Sequence, residues 1–120
     1  NIKKQHLVQD WVQQIRKKEG LKPFRFISNL KISGSSIFSI DHNLIYLKNL
    51  KKNLKGKNLT LVGEDLVQGK TVEEIVWLLW SSPRHRDLLL DSKANSASLI
   101  IGKTNKDIFA RIYTLSSKIF

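Results

Sequence analysis

The sequence predicts a single α+β domain, with helices in its first two thirds and an antiparallel sheet towards its end. Apolar residues recur at helical spacing up to about residue 80, and then alternate along two segments of the C-terminal third. The second segment carries apolar bulk on both sides, so we expect helices to cover both faces of the sheet. The expected architecture is a three-layer α–β–α sandwich with a small antiparallel sheet. Residues 1–120 should form it as one domain, because a chain of this length buries one core but not two.

Two amphipathic helices are predicted in the first half. In residues 6–19, Leu7 and Trp11 begin a helical apolar stripe, and Gly20 is a natural stop. Residues 43–54 repeat the pattern, with leucines along one side. Lysines crowd this second helix and the residues after it, which indicates either a solvated helix face or a basic patch that binds a partner. These lysines are Lys48, Lys51, Lys52, Lys55 and Lys57.

A third helix is predicted to begin after Thr71. The Thr71 hydroxyl can accept a hydrogen bond from the backbone of Glu74, as in a capping box. The residues from Val72 to Trp80 are apolar on almost every side, which is typical of a helix buried between layers. We therefore place Trp77 and Trp80 in the core.

Two strands are predicted at residues 98–102 and 108–115, joined by a polar hairpin loop at 103–107. Successive side chains of a strand point to opposite faces of its sheet. In the second strand one face should therefore carry Ile108, Ala110 and Ile112, and the other Phe109, Arg111 and Tyr113.

The composition is that of a basic protein. The net charge is +11, and 16 lysines and 5 arginines produce a field that favours anionic glycans, anionic lipids or nucleic acid. Lysine lacks the bidentate geometry of arginine, so we do not expect nucleic acid to be the partner. The absence of cysteine excludes disulfides, thiolate metal sites and cysteine catalysis. Because the chain begins with Asn1 and not Met, we expect a mature part from which a leader has been removed.

Three motifs resemble those of the CAP (SCP-like) superfamily, in its bacterial branch. Residues 15–24 resemble the exit of the family's first helix, Gly63-Glu64-Asp65-Leu66 its G-E-N element, and Ser82-Pro83-Arg84-His85-Arg86 its S-P-G-H-R element. Their order and spacing extend the resemblance over about residues 7–115. It implies the CAP sandwich. Together with the lysine-, isoleucine- and asparagine-rich composition, it suggests a spirochaete outer-surface lipoprotein whose lipidated cysteine preceded Asn1.

The resemblance also implies a cleft with two histidines and an acid. His85 matches the second histidine, Glu64 the acid, and His42 is the candidate for the first histidine. Such a set could hold a divalent metal such as zinc, or act as general acid and base. Each residue has a structural alternative: His85 could fix the turn at Pro83, Glu64 could cap a local turn, and His42 could be an ordinary loop or helix-start residue.

Departures from the family pattern favour binding over catalysis. Asp65 replaces the usual asparagine, Arg84 the glycine, and Arg111 the glutamine of the last strand, while the second family acid is missing. We therefore expect a secreted or surface-exposed, non-enzymatic module without a cofactor, which binds a host extracellular-matrix or envelope component, such as an anionic glycan or lipid. The alternatives are a metal-dependent hydrolase-like activity, or lipid or sterol binding in the CAP cleft.

Overall fold

A computed structural model describes residues 2–27 and 44–118. In chain order the elements are α1 (Ile2–Lys18), β1 (Arg25–Phe26), α2 (Leu44–Lys55), β2 (Leu59–Gly69), α3 (Val72–Ser81), α4 (Pro83–Leu89), β3 (Ser96–Lys103) and β4 (Ile108–Ser117). The helices predicted around residues 6–19, 43–54 and after Thr71 are present, and so are both C-terminal strands. The Thr71 hydroxyl accepts a hydrogen bond from the Glu74 backbone at 3.1 Å, so the predicted cap of α3 is confirmed.

The four strands form one sheet in the order β1-β3-β4-β2. The long pairings, β3 with β4 and β4 with β2, are antiparallel, whereas the two-residue β1 lies parallel to β3. Among the described strands β2 is therefore an edge of the sheet, and its pairing with β4 shifts register between Leu61 and Gly63.

Helices cover both faces of the sheet, as the apolar bulk on both sides of β4 predicts. On one face Ile108, Ala110 and Ile112 pack in a core with buried residues of α1, α3 and α4. On the other face Tyr113 and Leu115 pack with Leu50 and Leu54 of α2. The predicted three-layer sandwich is confirmed.

The interior position predicted for the tryptophans of α3 is wrong. Within this helix only Ile75 and Leu79 are buried, whereas Trp77 is 64% and Trp80 38% exposed. The helix is apolar on nearly every side, but it packs on the sheet through one side alone. Its outward side therefore presents aromatic surface to solvent.

Arg16 ties the end of α1 to the segment between α4 and β3. Its guanidinium donates to the backbone carbonyls of Lys22, Leu89, Asp91 and Ala94 at 2.8–3.2 Å, and lies 3.8 Å from the centre of the Phe24 ring. Only 2% of the residue is exposed. Burial lowers the pKa of Arg16, and the nearby Asp91 opposes this effect. Arg16, which belongs to the first of the three sequence motifs, therefore connects the end of α1 with the end of α4 and the segment after it.

Candidate functional site

The acid of the G-E-N-like element is part of a buried ion pair. Glu64 lies in β2 and not at a turn, and Arg111 of β4 places Nη1 3.1 Å from its Oε2. The side chains are 4% and 1% exposed. The same guanidinium group lies 3.4 Å from the Tyr113 hydroxyl. The negative charge of Glu64 is therefore compensated from within the protein.

Asp65, the next residue, lies on the opposite face of β2 and has a very different environment. It is 2% exposed, and within the described residues neither carboxylate oxygen has a hydrogen-bond partner. The pKa of Asp65 is raised to about 8: burial is the main cause, the nearby Arg84 opposes the rise, and the charge of Glu64 adds to it. At neutral pH this carboxyl group is therefore largely protonated.

The side chain of His85, a residue of α4, contacts the C-terminal part of α3. Its Nδ1 lies 3.2 Å from the carbonyl oxygen of Leu78, and the ring is half-buried. Pro83 occupies the first turn of α4, which begins directly after α3. This arrangement agrees with the structural alternative for His85, in which the imidazole joins the two helices across the turn.

A groove borders the edge strand β2 between α2 and α4. Its volume is about 830 Å³, and its lining residues are Lys51, Leu61, Val62, Gly63, Glu64, Arg84, Asp87, Leu88 and Asp91. A side chain at position 63 would collide with Leu88, which explains why this strand position carries glycine where α4 packs on it. Among the described residues His85 is not part of this lining, so the groove contains Glu64 but not the matching histidine.

The described residues do not fit a metal centre. Across residues 2–27 and 44–118, no three His, Asp or Glu side chains are arranged to hold an ion. The Arg111 guanidinium beside Glu64 already supplies the positive charge that a metal would bring. His42, the third candidate ligand, lies outside the described residues. A zinc-dependent role for His42, Glu64 and His85 stays a hypothesis.

The lysines of α2 face solvent. Lys48, Lys51, Lys52 and Lys55 follow at spacings of three, one and three residues, which places them on one side of the helix. Leu50 and Leu54 form the opposite, buried side. Lys57 is also exposed, just beyond the helix. We call these five residues the lysine cluster.

A second surface feature is a groove between α1 and α3, which the sequence did not predict. It has a volume of about 570 Å³, and we call it the tryptophan groove. All three tryptophans of the chain border it, and Trp11 meets Trp80 edge to face with ring centres 6.3 Å apart. The lining consists of Trp11, Ile15, Lys18, Glu19, Glu73, Val76, Trp77 and Trp80. Tryptophan on an apolar helix usually indicates a core position. The one feature of the sequence that could have predicted this groove is that α3 has more large apolar side chains than one buried side of a helix can hold.

Among the described residues, helices pack on both faces of a four-stranded sheet, and solved SCP-type structures share this arrangement, so the chain has the CAP (SCP-like) fold. No family model and no curated protein matches the sequence. Solved structures do match: an outer surface protein of Borrelia burgdorferi has a TM-score of 0.77 and 20% identity over 97% of this chain and 94% of its own.

Two further similar structures carry the domain as part of a longer protein. A cysteine-rich secretory protein of Staphylococcus aureus has a TM-score of 0.66 at 19% identity, and an extracellular SCP-domain protein of Bacillus anthracis has 0.60 at 16%. Each matches 95% of this chain, which spans 39% and 41% of their respective lengths. At these identities the similarities establish the fold. They therefore confirm the CAP fold that the three sequence motifs predict.

Proposed function

We propose that this chain is a non-enzymatic binding module on the outer cell surface, and that its lysine cluster binds an anionic glycan of a host or envelope component. The observation that carries the proposal is the lysine stripe of α2. Four exposed lysines on one side of a helix, with no acidic residue between Leu44 and Lys55, produce a strong local positive potential. A sulfated or carboxylated polysaccharide has the complementary charge.

The geometry of α2 suits a linear polyanion. From Lys48 to Lys55 the helix rises about 10 Å, so the four ammonium groups form a short row. Like charges three and four residues apart destabilise a helix by roughly 0.2–0.5 kcal/mol per pair. A bound polyanion would relieve this repulsion, and we expect it to raise the melting temperature of the protein.

The buried pair of Glu64 and Arg111 supports a role without catalysis. A carboxylate whose charge is already compensated by a guanidinium group is a weak ligand for a cation. The metal-dependent alternative has a simple test: zinc that raises the melting temperature of the wild type, but not that of His85→Ala, would support it.

The surface location is part of the same proposal. It rests on the similarity to an outer surface protein and to an extracellular SCP-domain protein, and on the lysine-rich composition. Anchoring through a lipidated cysteine upstream of Asn1 would place the domain there. Across residues 2–27 and 44–118, none of the helices combines the length and apolar character needed to span a bilayer.

Binding to immobilised heparin-like glycan tests the proposal. We expect retention at physiological salt that weakens steeply as salt rises, and loss of at least tenfold in affinity for Lys51→Glu/Lys52→Glu. The matched control is Lys103→Glu/Lys106→Glu, which changes the net charge equally at the exposed β3–β4 turn and should retain most of the binding. No binding of the wild type, or equal loss in both variants, would refute a specific role of the lysine cluster.

A further inference from the structure

The exposed apolar side chains lie on one layer of the sandwich. Among the described residues, the large hydrophobic side chains with high exposure are Ile2, Leu7, Trp77 and Trp80, at 38–70%. The first two belong to α1 and the others to α3, and these helices contact each other along one face of the sheet. Concentrated apolar exposure of this kind marks an interaction surface.

The two helices present their apolar residues as neighbouring stripes. On α1, Leu7 and Trp11 are four residues apart and therefore share one side. On α3, Trp77 and Trp80 are three residues apart and likewise share one side of their helix. The contact between Trp11 and Trp80 closes the gap between the stripes, so the outer surface is continuous from one helix to the other.

Cationic side chains flank this surface at both ends. Lys3 and Lys4 line a shallow pocket together with Leu7 near the start of α1. At the other end Lys18 lines the tryptophan groove, and the Arg86 guanidinium lies 5.2 Å from the ring centre of Trp80. Tryptophan rings within a border of lysine and arginine are typical of surfaces that lie at the headgroup level of a membrane.

We propose that the outer face of α1 and α3 docks flat on a lipid bilayer that contains anionic headgroups. The tryptophan rings would enter the interface, and the flanking cations would contact lipid phosphates. Glu19 and Glu73 also line the tryptophan groove. Their charges keep this face at headgroup depth and out of the hydrocarbon.

A flat bilayer explains the extent of the exposed surface better than a single bound lipid does. An acyl chain or sterol in the tryptophan groove would cover Trp11 and Trp80, but Ile2 and Leu7 lie beyond the lining of that groove. Helix α1 is about 25 Å long, and only an extended surface covers it from end to end. The net charge of +11 favours binding of the domain to a bilayer with an anionic surface.

This orientation goes beyond glycan binding and is compatible with it. The lysine cluster belongs to α2, which packs on the other face of the sheet. A domain that rests on a bilayer through α1 and α3 therefore presents the lysine cluster on its far side. The bilayer contact and the glycan contact use different residues, so experiments can refute one of them without refuting the other.

Vesicle binding with tryptophan emission as the readout tests the inference. Because all three tryptophans line the groove, emission reports on this face alone. With vesicles of phosphatidylcholine and phosphatidylglycerol we expect co-sedimentation and a blue shift, both much weaker with phosphatidylcholine alone. Trp77→Ser should lower affinity roughly tenfold or more, since it removes a large exposed apolar contact.

Charge variants separate this face from the lysine cluster. Lys3→Glu/Lys4→Glu should reduce vesicle binding strongly, whereas Lys51→Glu/Lys52→Glu, with the same change in net charge, should retain it within a few-fold. The inference is overturned if the α2 variant loses binding while the α1 variant keeps it, or if Trp77→Ser binds like the wild type. A blue shift with a dispersed fatty acid but no vesicle binding would also overturn it, and would indicate a site for single lipids.

Discussion

Glu64 and Arg111 lie diagonally across the β2–β4 pairing and join their charges at 3.1 Å inside the protein. Glu64 is directly opposite Tyr113, whereas Arg111 is opposite Leu66. The Arg111 guanidinium group therefore reaches a carboxylate that lies two residues along strand β2. Both groups have lost nearly all contact with water. The acid that the resemblance assigns to the CAP cleft is thus buried in an ion pair with Arg111 in this structure.

Removal of one charge from this pair should destabilise the domain. In Glu64→Gln the buried Arg111 guanidinium would lose the charge of Glu64, and we expect the free energy of unfolding to fall by about 3–5 kcal/mol. Urea denaturation of the wild type and the variant measures the difference. The double variant Glu64→Gln/Arg111→Gln should lose less than the sum of the single variants, and strict additivity would show that the two groups are not coupled.

Asp65 should make stability depend on pH. Its pKa is about 8 in the folded protein, against an ordinary value of 3.8, so the folded state holds the proton more tightly than the unfolded chain. Below about pH 4 both states are protonated and no penalty exists. As the pH rises from 4 to 8, the unfolded chain ionises at no cost while the folded state resists, and stability falls.

Asp65→Asn tests this dependence, since the amide is close in shape and cannot ionise. We expect little difference from the wild type at pH 4 and a gain on the order of 5 kcal/mol at pH 8, which follows from a pKa of about 8 in the folded protein against 3.8. Urea unfolding across this range gives both values. Asp10→Asn is a suitable control because Asp10 is exposed on α1, and equal pH profiles for the wild type and Asp65→Asn would contradict the raised pKa of the buried Asp65.

Arg16 offers a test of the joint between α1 and the segment after α4. Lysine keeps the charge, but its single ammonium group cannot reach four carbonyls or stack on the Phe24 ring. Arg16→Lys should therefore lower the free energy of unfolding by about 3 kcal/mol, as measured in urea. Its exposed neighbour supplies the control, and Lys17→Ala should change stability by less than about 0.5 kcal/mol. Similar losses in both would show that the carbonyl contacts contribute little.

The sequence was most informative where the determinants are local. The cap at Thr71, the stop at Gly20 and the alternation along β4 each involve residues a few positions apart, and the structure has all three elements. Strand β2 was recognised only as a motif. Its Glu64 and Asp65 interrupt the apolar pattern, and the partner that allows Glu64 to be buried is 47 residues away.

The candidate site could be predicted only in part for the same reason. His85 and Glu64 were identified by their motifs, but nothing near them in the chain shows that Arg111 neutralises Glu64. The tryptophan groove arises because α1 and α3 leave their aromatic side chains on the outside of one layer. Residue type favours burial at such positions, and only the packing of whole helices decides which side of an apolar helix faces water.

Two substitutions in α3 test that orientation directly. Leu79 is fully buried among the sheet and helix residues, so Leu79→Ala should lower the free energy of unfolding by about 2–5 kcal/mol through a cavity. Trp77 is larger but 64% exposed, and Trp77→Ala should change stability by less than about 1 kcal/mol. Urea denaturation followed by far-ultraviolet circular dichroism measures both without relying on tryptophan emission. If Trp77→Ala were the more damaging change, α3 would be rotated relative to the sheet, and the tryptophan groove would not be a surface on which a membrane could dock.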